Sequence, residues 1–242
     1  MSGVVVLETL RRQASNLLAV VYVAFLMILG LASSRLEAPL WATFLTLLAI
    51  VTGAGLIGPE FSSGTLQLIL VKPINRSVYL VSRFAGVVLF LAIAATLAFS
   101  CEAIGRLVWG GADRIKDSAI MLLNAVSDAA LICALMALFG SFLRAYFNVA
   151  LYWVIQILLG LIESLFKLAS MAKDGFLAWL NDTITSHPII PDSLAWLQRN
   201  LYPDAPQKLD RDWLLMVWSN VAIAIVLACF IFRRREVPYG AD

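Results

Sequence analysis

Asp128 is the residue whose type and position most demand a reason. It stands about ten residues into the apolar run 118–142, near its middle. A charge buried at mid-membrane depth costs at least a few kcal/mol, so it is kept for pairing or for work. Asn124 lies one helical turn before it on the same face, with Ser127 alongside. In the next run, 145–165, the residues Asn148, Tyr152, Gln156 and Glu163 share roughly one face. Asn124, Asp128 and Gln156 are therefore candidates to line a translocation path or a subunit interface. Hydrogen bonding between neighbouring helices would account for the same residues. Asp128 would also serve a proton-coupled carrier, although no Lys, Arg or His stands at similar depth. Glu102 and Arg106, four residues apart, read as a same-helix pair at the membrane interface. The lone histidine, His187, precedes Pro188 without a ligand cluster and reads as a surface residue. Cys101, Cys133 and Cys229 sit in apolar runs and read as small buried hydrophobes. There is no Ser/His, Cys/His or metal-ligand constellation and no G-x-x-x-x-G-K-[ST] phosphate loop. The expectation is a chain that is not itself an enzyme, with no catalytic residue, no metal and no bound cofactor.

The elements that carry these residues follow from composition. Of 242 residues, 61% are hydrophobic and only 14% are charged, and mean hydropathy is +0.87. Soluble domains run at about 45–50% apolar and about 25% charged. The surplus excludes a soluble enzyme, a disordered chain and a secreted disulfide scaffold. A net charge of +2 is too small to suggest nucleic acid. Spanning helices need about 20 mostly apolar residues. Six runs qualify: 14–33, 40–57, 84–104, 118–142, 145–165 and 213–232. They are continuous rather than alternating, which favours helices over a barrel. The fold class expected is an all-α integral membrane protein with six transmembrane helices in a single domain. No cleavable signal peptide is evident.

Arg11 and Arg12 precede the first run, and Arg233, Arg234 and Arg235 follow the last. Even span number puts both ends on one side. The positive-inside rule makes that side the cytoplasm of a cell (cytoplasmic or inner) membrane. The loop 58–83 is then cytoplasmic and the long segment 166–212 external. The cytoplasmic loop carries Gly58-Pro59-Glu60 and Gly64-Thr65-Leu66, then Leu70, Pro73-Ile74 and Arg76. Gly58-Pro59 ends one span. Ser62 or Ser63 can cap a new helix, Leu66, Ile69 and Leu70 give it an apolar face, and Pro73 stops it. A short amphipathic helix between two spans suits a passive interfacial anchor. It equally suits a docking element for a soluble partner.

These residues resemble the E-x-x-x-G-T-L and P-I-x-R signature of ATP-binding-cassette (ABC) transporter permeases of the type-2 class. The N-terminal Glu8-Thr9-Leu10-Arg11-Arg12 is similar to that family's amphipathic elbow helix, here 1–15. The resemblance implies a permease subunit, most simply of an exporter, with a coupling loop at 59–80. It implies that Glu60, Gly64, Thr65, Leu66, Leu70, Pro73 and Arg76 couple the chain to an ATPase. Glu60 would fix the loop's end by accepting backbone N–H bonds or pairing with Arg76 or Arg83. The partners implied are two ABC ATP-binding subunits carrying ATP and Mg, and a second permease, identical or related. The segment 166–212 departs from the short re-entrant helices usual in the family. Its aromatics Trp179 and Trp196, with Pro188 and Pro191 as breakers, read as interfacial helices. They would form a lid, or a platform for an external partner protein. Two other readings stand beside the exporter: a subunit that passes ATPase strokes to an external partner, and a secondary carrier using Asp128.

Overall fold

The computed structural model describes residues 2–36, 39–57, 75–143, 147–171, 179, 189–201, 206 and 208–234. Glu60, Gly64, Thr65, Leu66, Leu70 and Pro73 lie outside the described residues, as does the short helix expected around them. Among the described residues every regular element is helical. The first is α1, Gly3–Ser15, followed by α2, Leu17–Ser33. The two are bent 76° from each other. Asn16 makes the bend: its backbone is extended, with ψ 111, and its side chain accepts a 3.1 Å hydrogen bond from Leu18 N–H. An Asn in this role caps a fresh helix, here at the point where the polar Arg11-Arg12-Gln13 stretch gives way to an apolar run.

Next come α3, Leu40–Ala54, and α4, Arg76–Trp109. Asn75 caps α4 by accepting from Ser77 N–H at 3.1 Å. Gly110, at φ 86, closes it in the left-handed conformation that Gly tolerates. A 3-10 turn, Ala112–Arg114, leads into α5, Ile115–Phe142. Then follow α6, Phe147–Met171, α7, Ile189–Leu201, and α8, Arg211–Arg234.

Four helices are long and apolar enough to cross a membrane: α4, α5 with its preceding turn, α6 as far as Leu165, and α8. The bent pair α1 and α2 makes a fifth if counted together. At about 1.5 Å per residue, the 15 residues of α3 reach about 22 Å, short of the ~30 Å hydrocarbon core. The expected first and second spans are thus shorter helices, the first trimmed at its start by Asn16 and the second at its end by Gly55. The third is longer than expected. Its 34 residues reach about 51 Å and begin at Arg76 rather than Phe84.

The chain forms two compact units, 1–149 with 205–242, and 150–204. In the first, α5 is central: 72% of its apolar window is buried, against 39% in α4 and 22% in α8. Its buried residues include the small Ala129, Ala130, Ala134 and Ala137 beside larger ones such as Leu131 and Met136. Small side chains let membrane helices approach closely where no hydrophobic effect drives them together. On α8 the buried residues Val217, Val221, Ala224, Ala228 and Phe232 recur at helical spacing, while Leu215, Ile223, Val226 and Phe230 are exposed. In the second unit, Gln198 Nε2 of α7 donates to Glu163 Oε2 of α6 at 2.9 Å, so α7 folds back on α6.

Helix α2 meets α4 at two glycines. A Cβ on Gly30 would run into the Ala98 carbonyl, which is rigid backbone. A Cβ on Gly105 would lie 2.6 Å from Ser34 Oγ. We expect Gly30→Leu to lower stability by about 1–3 kcal/mol through overpacking. The drop would be read as a lower midpoint of thermal unfolding in detergent. Gly160→Leu, at a glycine with nothing within 4 Å, should change little.

Candidate functional site

Helix α4 has a polar group of residues near each end, and these are built differently. At the start, Arg76 is half-buried in the first turn, next to the Asn75 cap. Two turns on, α1 is strapped to α4. Ser2 N–H donates to Ser82 Oγ at 2.9 Å, and Thr9 packs so tightly on Gly86 that a Cβ there would lie 2.8 Å from Thr9 Cβ. Between them Arg83 is only 5% exposed. Its Nη1 donates to the Tyr79 hydroxyl at 3.1 Å, and its guanidinium lies 5.7 Å from the Tyr79 ring centroid. The start of α4 and α1 are thus joined by a hydrogen bond and by close packing.

At the far end stands a buried charged cluster. Glu102 is 0% exposed. Its Oε1 accepts from Arg106 Nε at 2.8 Å and from Ser118 Oγ at 2.8 Å, and lies 2.7 Å from Arg106 Nη2. Its Oε2 accepts from Trp41 Nε1 at 2.6 Å. Arg106 Nη2 also reaches the carbonyls of Ser33 and Leu36, each at 3.5 Å. Ser33 Oγ in turn accepts from Leu40 N–H at 2.9 Å. The cluster thus joins the end of α2 and the helices α3, α4 and α5. A carboxylate here holds one cation and two neutral donors, and such charge-assisted bonds are short and strong. The same-helix pairing of Glu102 and Arg106 matches expectation. The pair is also sealed in the bundle: Trp41 and Ser118 cover the carboxylate, a burial that spacing alone does not show.

Beside this cluster Arg35 stacks its guanidinium 4.4 Å from the Trp109 ring centroid. The two residues border a cavity of about 520 Å³, shared with Arg106, Asp113 and Arg114.

The three intramembrane candidates occupy different surroundings. Asn124 is fully buried, and its Nδ2 donates to the Pro206 carbonyl at 2.7 Å, tying α5 to the segment that leads into α8. Its Oδ1 has no partner among the described residues, and neither does the buried indole N–H of Trp213. Buried polar atoms of this kind are commonly satisfied by an ordered water. Asp128 is half-buried on the same helix. Gln156 is exposed in the 150–204 unit. Asn148 Nδ2 lies 3.3 Å from the Ala54 carbonyl and 3.4 Å from that of Met136, joining α6 to α3 and α5. Among the described residues no cluster of His, Cys, Asp and Glu could hold a metal ion.

Sequence reasoning missed the Trp41–Glu102–Ser118 arrangement. The available signal was Glu102 itself, a carboxylate inside the apolar run 84–104 with an arginine one turn later.

A family model described as "ABC-2 family transporter protein" matches residues 5–237, nearly the whole chain. No curated protein matches the chain.

Proposed function

The chain belongs to the ABC-2 transporter family, and from that premise we propose that it is the six-span permease half of an ATP-driven exporter. It works with a second permease, identical or related, and with two ATP-binding subunits that carry ATP and Mg. The loop before Asn75, with Glu60, Gly64, Thr65, Leu66, Leu70 and Pro73, is the part that those subunits push. Both chain ends and this loop face the cytoplasm, where the arginines of the termini belong.

One observation carries this reading. Helix α4 runs unbroken for 34 residues from Arg76, at the end of the coupling loop, to the turn at Gly110. Near that far end it holds the Glu102–Arg106 cluster, which grips α2, α3 and α5. A rod of this kind carries displacement from one membrane face to helix packing near the other. Interfaces between packed helices have discrete arrangements, so a small push becomes a change of packing. Asp128, Asn124 and Gln156 belong in this scheme to the path or the permease–permease interface.

The test uses two cysteines placed at opposite ends of the rod, in a chain whose native cysteines are replaced. Arg76→Cys is expected to crosslink to an ATP-binding subunit and to resist a membrane-impermeant maleimide added outside intact cells. Arg114→Cys is expected to react with that maleimide and to form no crosslink. The reverse pattern overturns the orientation and with it the coupling role of the loop.

A further inference from the structure

The bend at Asn16 opens a cavity of about 630 Å³ between α1, α2, α3 and α4. This lies within the ~300–1,000 Å³ typical of small-molecule sites. Its lining is divided. Arg12, Gln13, Asn16 and Arg83 make one polar end, at the level where α1 is strapped to α4. Val21, Phe25 and Val51 make an apolar slot running along α2 and α3. Val21 and Val51 are 58% and 69% exposed, so the slot opens sideways to the surroundings of the bundle. Arg83, by contrast, is a built part of the protein: it is 5% exposed and held by Tyr79. We propose that this cavity binds one anionic phospholipid from the leaflet at the N-terminal end of α4, with its phosphate between Arg12 and Arg83 and an acyl chain in the slot.

The chemistry follows from the two halves. Guanidinium groups match phosphate oxygens in geometry and charge. Basic pockets between membrane helices take anionic headgroups for this reason. The apolar slot selects a molecule that carries a chain as well as a charge, which a free phosphate does not. Cavity and bend share residue Asn16, so an occupant braces the angle between α1 and α2. The site needs only a chain embedded in a membrane and does not depend on the ATP-coupling reading.

Native mass spectrometry of the purified full chain, delipidated and then offered phosphatidylglycerol or phosphatidylcholine, tests the site. The wild-type chain is expected to retain one phosphatidylglycerol with about tenfold or greater preference, the size of one lost charge-assisted contact. Arg12→Gln and Arg83→Gln should abolish the preference. Because Arg83→Gln could disturb Tyr79 packing, Val51→Trp is the second variant. It keeps both arginines, fills the slot and should lower retention of phosphatidylglycerol by a similar factor. Equal retention of the two lipids by the wild type overturns the proposal. So does unchanged retention in Val51→Trp, or displacement of the lipid by glycerol phosphate, which would mean a headgroup site without a lipid.

Discussion

Alanine in place of Glu102 should cost the fold about 3–5 kcal/mol, the usual penalty for removing one partner of a buried ion pair. Three donors lose their acceptor at once: the Arg106 guanidinium, the Trp41 indole N–H and the Ser118 hydroxyl. The arginine accounts for most of the cost, because among the described residues it is left with the Ser33 and Leu36 carbonyls, each 3.5 Å away. Thermal unfolding followed by size-exclusion profile should show a large drop or loss of the folded species. Trp41→Phe removes a single donor, and its cost should be nearer 1–3 kcal/mol. The decisive control is the double replacement of Glu102 and Arg106 by leucine. Removing both charges leaves no unpaired ion, so the double variant should be more stable than Glu102→Ala. If Glu102→Ala matches the wild type in stability, the cluster does not hold α3, α4 and α5 together.

The second large effect is expected on coupling. Glu60→Ala or Gly64→Leu should separate ATP hydrolysis from transport in the assembled complex. Coupling free energies between sites are commonly 1–3 kcal/mol, or about 5–150-fold. Export per ATP hydrolysed should fall within that range. Membrane insertion should hold, since the buried cluster at the far end of α4 is built by Trp41, Glu102, Arg106 and Ser118, which both variants leave in place. Hydrolysis should continue at a rate set by the ATP-binding subunits. Transport that survives unchanged in both variants would remove these residues from the coupling role.

Much of the architecture was readable because membrane helices announce themselves by composition. The runs leading to α4, α5, α6 and α8 are apolar for 18 residues or more, and length alone identifies them. What escaped the reading has local and long-range causes. The break at Asn16 falls at the end of the expected elbow helix 1–15, after the polar Arg11-Arg12-Gln13; what the sequence does not show is the side chain turning back to Leu18 N–H. Asn75 was readable as a cap from its residue type, but the apolar run 84–104 marks only part of α4, and Arg76, Ser77, Ser82 and Arg83 lie before it. They are helical because α1 packs over them and Asn75 caps them. The Glu102–Arg106 pair was visible as spacing, but its burial was not. That depends on Trp41, 61 residues away, and Ser118, 16 residues away. Such contacts are products of packing and leave no periodic trace. The coupling role proposed for the loop with Glu60 and Gly64 rests on its likeness to a family, since a short amphipathic turn between two spans has many physical uses.

The central claim is that this permease acts with separate ATP-binding subunits. Its most direct test is purification of the full chain from native membranes under mild detergent, followed by mass spectrometry of what accompanies it. The expected result is an ABC ATP-binding subunit in equal amount to the permease, released from the complex when Glu60 and Gly64 are both replaced. The contradicting result is a chain that purifies without any such subunit and whose transport runs on a proton gradient and stops with Asp128→Asn.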